Sequence, residues 1–311
     1  MMKKILVTGG AGFIGSHLCK QLIKSDNFVI CIDNLSTGNI KNISECLKNE
    51  NFKFYEHDIL NNIDMNIDSI YHLACPASPV QYQINPINTF KTCVIGTMNI
   101  IELALKNNAT IVHASTSEVY GDPLTSCQNE QYWGNVNPIG IRACYNEGKR
   151  AAETLLFDYH RKHKLKIKVA RIFNTYGPNM CPDDGRVISN FITQAIQNRP
   201  ITIYGDGTQT RSFCYISDLI SALIALKTTN AKFSGPINIG NPKPINILNL
   251  STKILKLIKS ESKIIFKKLP EDDPKIRMPD IDLAKKILKW SPDTDLNEGL
   301  KKTIKYFINS N

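Results

Sequence analysis

The chain has no run of the roughly 20 consecutive apolar residues that a membrane-crossing helix requires, which excludes a helical integral membrane protein. It has no internal repeat and no low-complexity linker, so neither a solenoid nor a string of flexibly joined modules is expected. No leader is expected either, because Lys3 already opens a buried-strand run. Its nine cysteines form no C-x-x-C pair. Cys19, Cys31, Cys93 and Cys214 sit in apolar or strand-like settings, where a reduced thiol packs as a small hydrophobe. A soluble protein of a reducing, cytoplasmic compartment is the expectation, with no membrane partner.

Acid is the scarcer sign of charge: 28 Asp and Glu stand against 38 Lys and Arg, a formal net charge of +10. That excess suits attraction of an acidic small molecule and equally a nucleic-acid footprint. The lysines are scattered, apart from a cluster between Lys253 and Lys268, so the charge reads as a solvated surface and no nucleic-acid partner is expected. With 311 residues, 42% of them hydrophobic and 21% charged, the chain can bury a large core. Its length fits one large α/β unit with a smaller appendage.

The first half alternates short apolar runs with helical patterns. Strands are expected at Ile5 to Val7, Phe28 to Ile32, Phe52 to Tyr55, Ser69 to Leu73, Thr110 to Ala114 and Ile167 to Ile172. Helices are expected from about Gly12 to Ser25, over Pro86 to Asn107, and from about Cys144 to Lys164. Strands spaced by helices imply right-handed crossovers and a doubly wound parallel sheet covered on both faces. Beyond Phe173 the pattern weakens into Gly- and Pro-bearing segments, read as a smaller C-terminal substrate-binding lobe over the carboxyl ends of the strands.

Gly9, Gly12 and Gly15 form G-x-x-G-x-x-G directly after a buried strand and at the start of a helix. Such glycines permit a tight turn and close approach of the backbone to a pyrophosphate facing a helix N-terminus. Asp33 ends the second strand, where a carboxylate can accept from both ribose hydroxyls and repels a 2′-phosphate. The fold is therefore expected to be Rossmann-type and the cofactor NAD. Asp58 sits past the third strand, either meeting the adenine or capping a helix.

Tyr145 and Lys149 make Y-x-x-x-K on a helix, which sets phenol and ammonium on one face a turn apart. A tyrosine with a pKa of about 10 is a poor base at neutral pH. The Lys149 ammonium and a positive nicotinamide ring would both favour the phenolate. Thr116 and Ser117 follow a strand that ends at the same cleft, and their hydroxyls either hold a substrate oxygen for proton removal or cap a turn. His160 and His163 read as the exposed, cationic end of a helix, and His72 and His113 as packed or hydrogen-bonded groups, so no metal is implied.

Longer runs carry a specific likeness: His72 to Pro79, Thr116 to Pro123, Tyr132 to Gly140, Ala170 to Pro178, Asp183 to Val187, Gly205 to Phe213, and Asp272-Asp273-Pro274 through Arg277 to Pro279-Asp280. Through them the chain resembles, nearly end to end, the UDP-glucuronate decarboxylases (UDP-xylose synthases) of the extended short-chain dehydrogenase/reductases. The resemblance implies oxidation at C-4 of the sugar, loss of CO2 from the resulting β-keto acid, and re-reduction to UDP-xylose, with NAD unchanged overall. It makes Tyr145 the base and Lys149 its activator, and lines the glucuronate with Thr116, Ser117 and Glu118. Arg277 would face the sugar carboxylate or a diphosphate oxygen, unless it pairs with Asp272 or Asp273. Asn174 and Arg211 would hold the UDP, with Lys91, Asn99 and Tyr204 as further contacts. Around the cofactor it implies Gly9, Gly12, Phe13, Ile14, Gly15, Asp33, Asn34, Ser36, Thr37, Gly38, Asp58, Ile59, Leu73, Thr92, Thr175 and Arg186.

Related dehydratases usually carry Asp-Glu after the Thr of this loop, and Ser117 in place of that Asp argues against dehydration. Epimerases usually lack the Glu at position 118. Two rivals remain, an oxidative decarboxylase that releases the keto-pentose and NADH, and a non-catalytic dinucleotide sensor. The resemblance further implies a homodimer through helices that include the Tyr145 helix. Residues 1–174, also receiving 212–241, would form the NAD-binding domain, and 175–311 mainly the UDP-sugar lobe.

Overall fold

The structure is a computed structural model and describes residues 2–269 and 276–310. Short runs of Ile, Val, Leu and Phe make β1 (Lys4–Thr8), β2 (Phe28–Asp33), β3 (Phe52–Glu56) and β4 (Ser69–His72), with α1 (Phe13–Ile23) between the first two. Helices α2 (Pro79–Ile84), α3 (Pro86–Lys91) and α4 (Thr97–Asn107) precede β5 (Thr110–Thr116), and α5 (Ala143–His163) precedes β6 (Lys166–Ile172). The second half supplies β7 (Thr175–Tyr176), α6 (Val187–Ile196), β8 (Ile201–Tyr204), β9 (Thr210–Ser212), β10 (Cys214–Tyr215), α7 (Ile216–Lys227) and β11 (Ile237–Ile239). It ends with β12 (Pro244–Asn246), α8 (Ile247–Ile258), β13 (Ile264–Lys267), β14 (Ile276–Arg277), α9 (Asp282–Leu288) and α10 (Leu296–Ser310).

Seven parallel strands form one sheet in the order β11-β6-β5-β4-β1-β2-β3. This is the doubly wound sheet that the alternating pattern implied. Successive side chains of a strand face opposite ways, and β1 shows the consequence. Ile5 and Val7 join the core that contains Leu18, Leu22, Leu219 and Leu223, while Leu6 joins the core that contains Ile100, Ile101, Ala104 and Leu156. Helices α1 and α7 thus cover one face and α4 and α5 the other. Strand order reverses between β1 and β4, and the crevice that opens there lies at the carboxyl ends of the strands.

The helix expected over Pro86 to Asn107 is present but not regular. Residues Thr92–Gly96 form a π-helical turn between α3 and α4. The Thr92 and Thr97 hydroxyls donate back to the carbonyls of Asn88 and Cys93, which supports the widened turn. His160 departs from its expected exposure: it is half-buried, with Nδ1 2.7 Å from the Leu165 carbonyl and Nε2 3.2 Å from the Ser234 hydroxyl.

Beyond β6 the smaller elements pair among themselves, apart from β11 in the main sheet. One of these small sheets, β12-β9-β14, runs β14 parallel to β9 and sets Arg277 beside Arg211. Gln128 fixes the exit from β14: its side-chain oxygen accepts from the Met278 N–H at 3.0 Å, and its own N–H donates to the Met278 carbonyl at 3.0 Å. Of the last resembling run, Asp272, Asp273 and Pro274 lie outside the described residues, so the alternative pairing of Arg277 with either aspartate does too.

Candidate active site

A cavity of about 1170 Å³ opens along the strand ends, between the sheet and the elements of the second half. Gly9, Gly12, Phe13, Ile14, Gly15, Asp33, Asn34, Ser36, Thr37, Gly38, Asp58, Ile59, Leu73, Thr92, Thr175 and Arg186 all line it. So do Thr116, Ser117, Glu118, Tyr145, Lys149, Asn174, Tyr204, Arg211 and Arg277. Two expected substrate contacts do not. Lys91 is exposed on the last turn of α3, and Asn99 donates its side-chain amide to the Ile59 carbonyl at 2.8 Å. Both lie on the α3–α4 segment, which meets the cavity through Asn88 and Thr92.

The cofactor end is shaped by backbone. Gly9 adopts φ +70°, and a Cβ there would lie 2.9 Å from the Ala74 backbone. A Cβ on Gly15 would lie 2.1 Å from the Gly9 carbonyl oxygen. No side chain caps the start of α1, and its first turn carries no acid, so those N–H groups face the cavity unsatisfied by the helix. This is a cradle for a pyrophosphate. The Asp33 carboxylate accepts from the backbone N–H of Ala11 at 3.0 Å and of Leu35 at 2.9 Å, which locks the loop and leaves lone pairs for a ribose diol. Burial raises its pKa, and those backbone donors oppose the rise. Asp58 accepts from the Leu60 N–H and the Asn34 amide, both at 2.9 Å, so it caps a turn while lining the cavity. The residues fit a dinucleotide without a 2′-phosphate.

At the far end of the crevice, α5 carries Tyr145, Lys149 and Glu153 on one buried face. Glu153 holds Arg171 of β6 through two contacts, 3.0 and 2.7 Å, and accepts from Ser115 of β5, so the catalytic helix is tied to the sheet. The Lys149 ammonium donates to the Ala114 carbonyl at 2.8 Å and lies 6.0 Å from the centre of the Tyr145 ring. The expected lowering of the phenol pKa does not arise from the protein alone. Burial pushes Tyr145 well above its ordinary value, Cys75 adds to the rise, and the Thr116 hydroxyl opposes it. The Thr116 oxygen also accepts from the Glu118 N–H at 3.1 Å, so the hydroxyl both caps the turn at Ser117–Tyr120 and faces the cleft.

Glu118 is the hub of a charge cluster missing from the sequence reading. Its Oε1 accepts from Arg142 at 2.9 Å and from Arg277 at 2.8 Å, and all three side chains are about nine-tenths buried. Both guanidiniums meet that one carboxylate on the cavity wall. Arg277 Nη2 is buried with no hydrogen-bond partner among the described residues. Arg142 stands just before α5, and no spacing rule joins it to Glu118 or Arg277. Tyr82 was also missed: it lies on α2 and stacks on Tyr145 with ring centres 5.0 Å apart and planes 2° from parallel. Ser78-Pro79, a capping residue followed by proline at the first helical position, was a readable start signal for that helix. His72 and His113 pack beneath the site with ring centres 5.2 Å apart, and His72 bonds Thr8 at 2.9 Å and Thr97 at 3.1 Å.

The model of the NAD dependent epimerase/dehydratase family matches residues 5–240. UDP-glucuronic acid decarboxylase 6 of Arabidopsis thaliana is 52% identical over 298 residues, which span 96% of this chain and 86% of that protein. UDP-glucuronic acid decarboxylase 1 of Danio rerio is 50% identical over 305 residues, 98% of this chain and 72% of that protein. Among solved structures, the UDP-glucuronic acid 4-epimerase from Bacillus cereus in complex with UDP-glucuronic acid and NAD superposes with a TM-score of 0.91 at 32% identity. That match covers 99% of this chain and 100% of the other.

Proposed function

The chain belongs to the NAD dependent epimerase/dehydratase family, and from that premise we propose that it converts UDP-glucuronate to UDP-xylose and CO2. The observation that carries this reading is the buried Arg277 guanidinium, on the same cavity wall as Tyr145 and held by Glu118, whose Nη2 has no hydrogen-bond partner among the described residues and would meet the carboxylate of an acid sugar. NAD, when bound, supplies the acceptor for the C-4 hydrogen and its later donor.

Tyr145 takes the proton from the C-4 hydroxyl, which Thr116 and Ser117 hold in line. Lys149, fixed on the Ala114 carbonyl, keeps a positive charge near the phenol and lowers the cost of the phenolate. Once C-4 is a ketone, the carboxylate on C-5 is β to it, and the electrons of the breaking C–C bond pass to the C-4 oxygen. The enolate formed there takes a proton from solvent at C-5, in the place of the lost carboxylate, and Tyr145 returns the proton it took to the C-4 oxygen when the ketone is reduced again. Arg277, positioned by Gln128 and Glu118, holds the carboxylate until it leaves as neutral CO2. Arg211 and Asn174 lie toward the diphosphate. Asp33 and the glycine cradle hold the cofactor ribose and pyrophosphate.

Residues 1–174 with 212–241 form the cofactor half in this reading, and 175–311 mainly the sugar half. Exposed Ile84, Ile87 and Phe90 on α2 and α3 support a homodimer through this side of the molecule, which sedimentation velocity would test. Free thiols at all nine cysteines support a cytoplasmic setting. No helix among the described residues is long and apolar enough to cross a membrane.

The test is turnover of UDP-glucuronate with catalytic NAD, following CO2, the nucleotide-sugar product and the NADH absorbance. UDP-xylose without net NADH is expected. Stoichiometric NADH with a keto-pentose would assign the oxidative decarboxylase instead, and UDP-galacturonate without CO2 would assign an epimerase.

A further inference from the structure

Two thiols that the reaction does not use meet at the edge of the cavity. Cys75 lies in the loop after β4 and lines the cavity, whereas Cys93 lies in the π-helical turn behind it. Their sulfurs are 3.2 Å apart. A disulfide needs about 2.05 Å, so closing the remaining gap asks only a shift of about an ångström. The π turn has little room to move away: a Cβ on Gly148 of α5 would lie 2.9 Å from Cys93 Cβ. Among the nine cysteines no other pair combines this contact with access from the cavity. Cys19 and Cys31 are fully buried in the core, and Cys181 is exposed alone.

We propose that Cys75 and Cys93 are an oxidative modification site, closing to a disulfide when a small hydroperoxide enters the cavity. In the step, one sulfur attacks the peroxide oxygen, its S–O bond forms as the O–O bond breaks, and the first water leaves. The second sulfur attacks the resulting sulfenyl sulfur, the S–S bond forms, and the hydroxyl leaves as a second water. Two thiols lose two electrons and two protons, and one hydrogen peroxide becomes two waters. The local charges favour the reaction. The Cys75 thiol beside it holds Cys93 below the usual thiol value although burial works against this, and the Lys149 charge acts in the same direction.

The closed link would tie the loop that leads from Leu73 to Ser78 onto the π turn. That loop lines the cavity, and both sulfurs influence the Tyr145 proton. Oxidation is therefore expected to lower turnover severalfold and reversibly, in contrast with the irreversible loss that overoxidation of a lone thiol causes.

The experiment treats the NAD-loaded protein with dilute hydrogen peroxide, alkylates the remaining thiols and maps the peptides by mass spectrometry. A cross-linked pair of peptides holding Cys75 and Cys93, two hydrogens lighter than the reduced pair and restored by dithiothreitol, is expected. This readout needs no substrate, so it stands apart from the reading of the reaction. The Cys93→Ala variant, if it folds, should retain turnover under the same peroxide. Alkylatable Cys75 and Cys93 after Cys181 has been oxidised would overturn the proposal. So would a link from Cys75 to Cys144, the other thiol on this side of α5, or equal peroxide sensitivity of Cys93→Ala.

Discussion

At the cofactor end of the cavity, the shaping residues are near neighbours in the chain. Gly9, Gly12 and Gly15 occupy one turn, and Asp33 ends the next strand of the sheet. At the sugar end, Glu118 follows β5, Arg142 precedes α5 and Arg277 arrives on β14, yet the three converge on one carboxylate oxygen. The first end works through backbone, where a single Cβ has nowhere to go. The second works through buried charge, where each partner exists to satisfy the others. Errors at the two ends should therefore fail differently.

Chemistry divides them most sharply. Tyr145→Phe is expected to lower kcat by about 10²–10⁴-fold, the range for a general acid–base group, while NAD titration stays unchanged. Loss of NAD affinity in that variant would mean that Tyr145 belongs to the cradle. Next, Glu118→Ala removes the carboxylate that two buried guanidiniums share and should cost about 3–5 kcal/mol of stability, read by urea unfolding. A wild-type midpoint would show that the cluster is solvated and that its burial has no energetic weight.

Gly15→Ala should act at the other end alone. Its methyl would meet the Gly9 carbonyl at 2.1 Å, and overpacking of this kind costs about 1–3 kcal/mol, here visible as weaker NAD binding. Unchanged NAD affinity in Gly15→Ala would remove the case for backbone control. A pH effect is shared by both ends, because His72 and His113 pack beneath them. Burial lowers both, His72 to about 3. Unfolded, each binds a proton near pH 6.5; folded, neither does until far lower pH. Stability is thus complete above pH 6.5 and falls as pH drops below it, with His72 and His113 acting in the same direction. A melting temperature that stays flat between pH 6.5 and 5 would contradict it.

The same contrast explains what could be read from the chain. Gly9 to Gly15, Asp33 and the Tyr145–Lys149 spacing are local patterns, and the parallel, doubly wound character of the sheet follows from the alternation of strands and helices. The cluster could not be found that way, because Arg142 meets Glu118 from the residue before α5 and Arg277 joins them through the β9–β14 register and Gln128, none of which leaves a periodic mark. Lys91 and Asn99 were assigned to the substrate through likeness alone; in the fold one faces solvent and the other is bonded to the Ile59 carbonyl. The burial of Tyr145 left no such pattern either. Helical spacing gives the distance to Lys149 but says nothing of how much water is excluded around the phenol.

The measurement that bears most directly on the sugar end is calorimetric binding of UDP-glucuronate and of UDP-glucose to the inert Tyr145→Phe protein, with and without Arg277→Met. A preference for the acid sugar that Arg277→Met erases, at a cost of about 2–5 kcal/mol for UDP-glucuronate alone and with NAD binding intact, is the predicted result. Equal affinity for the two sugars, or a preference that survives Arg277→Met, would contradict a site built around that carboxylate.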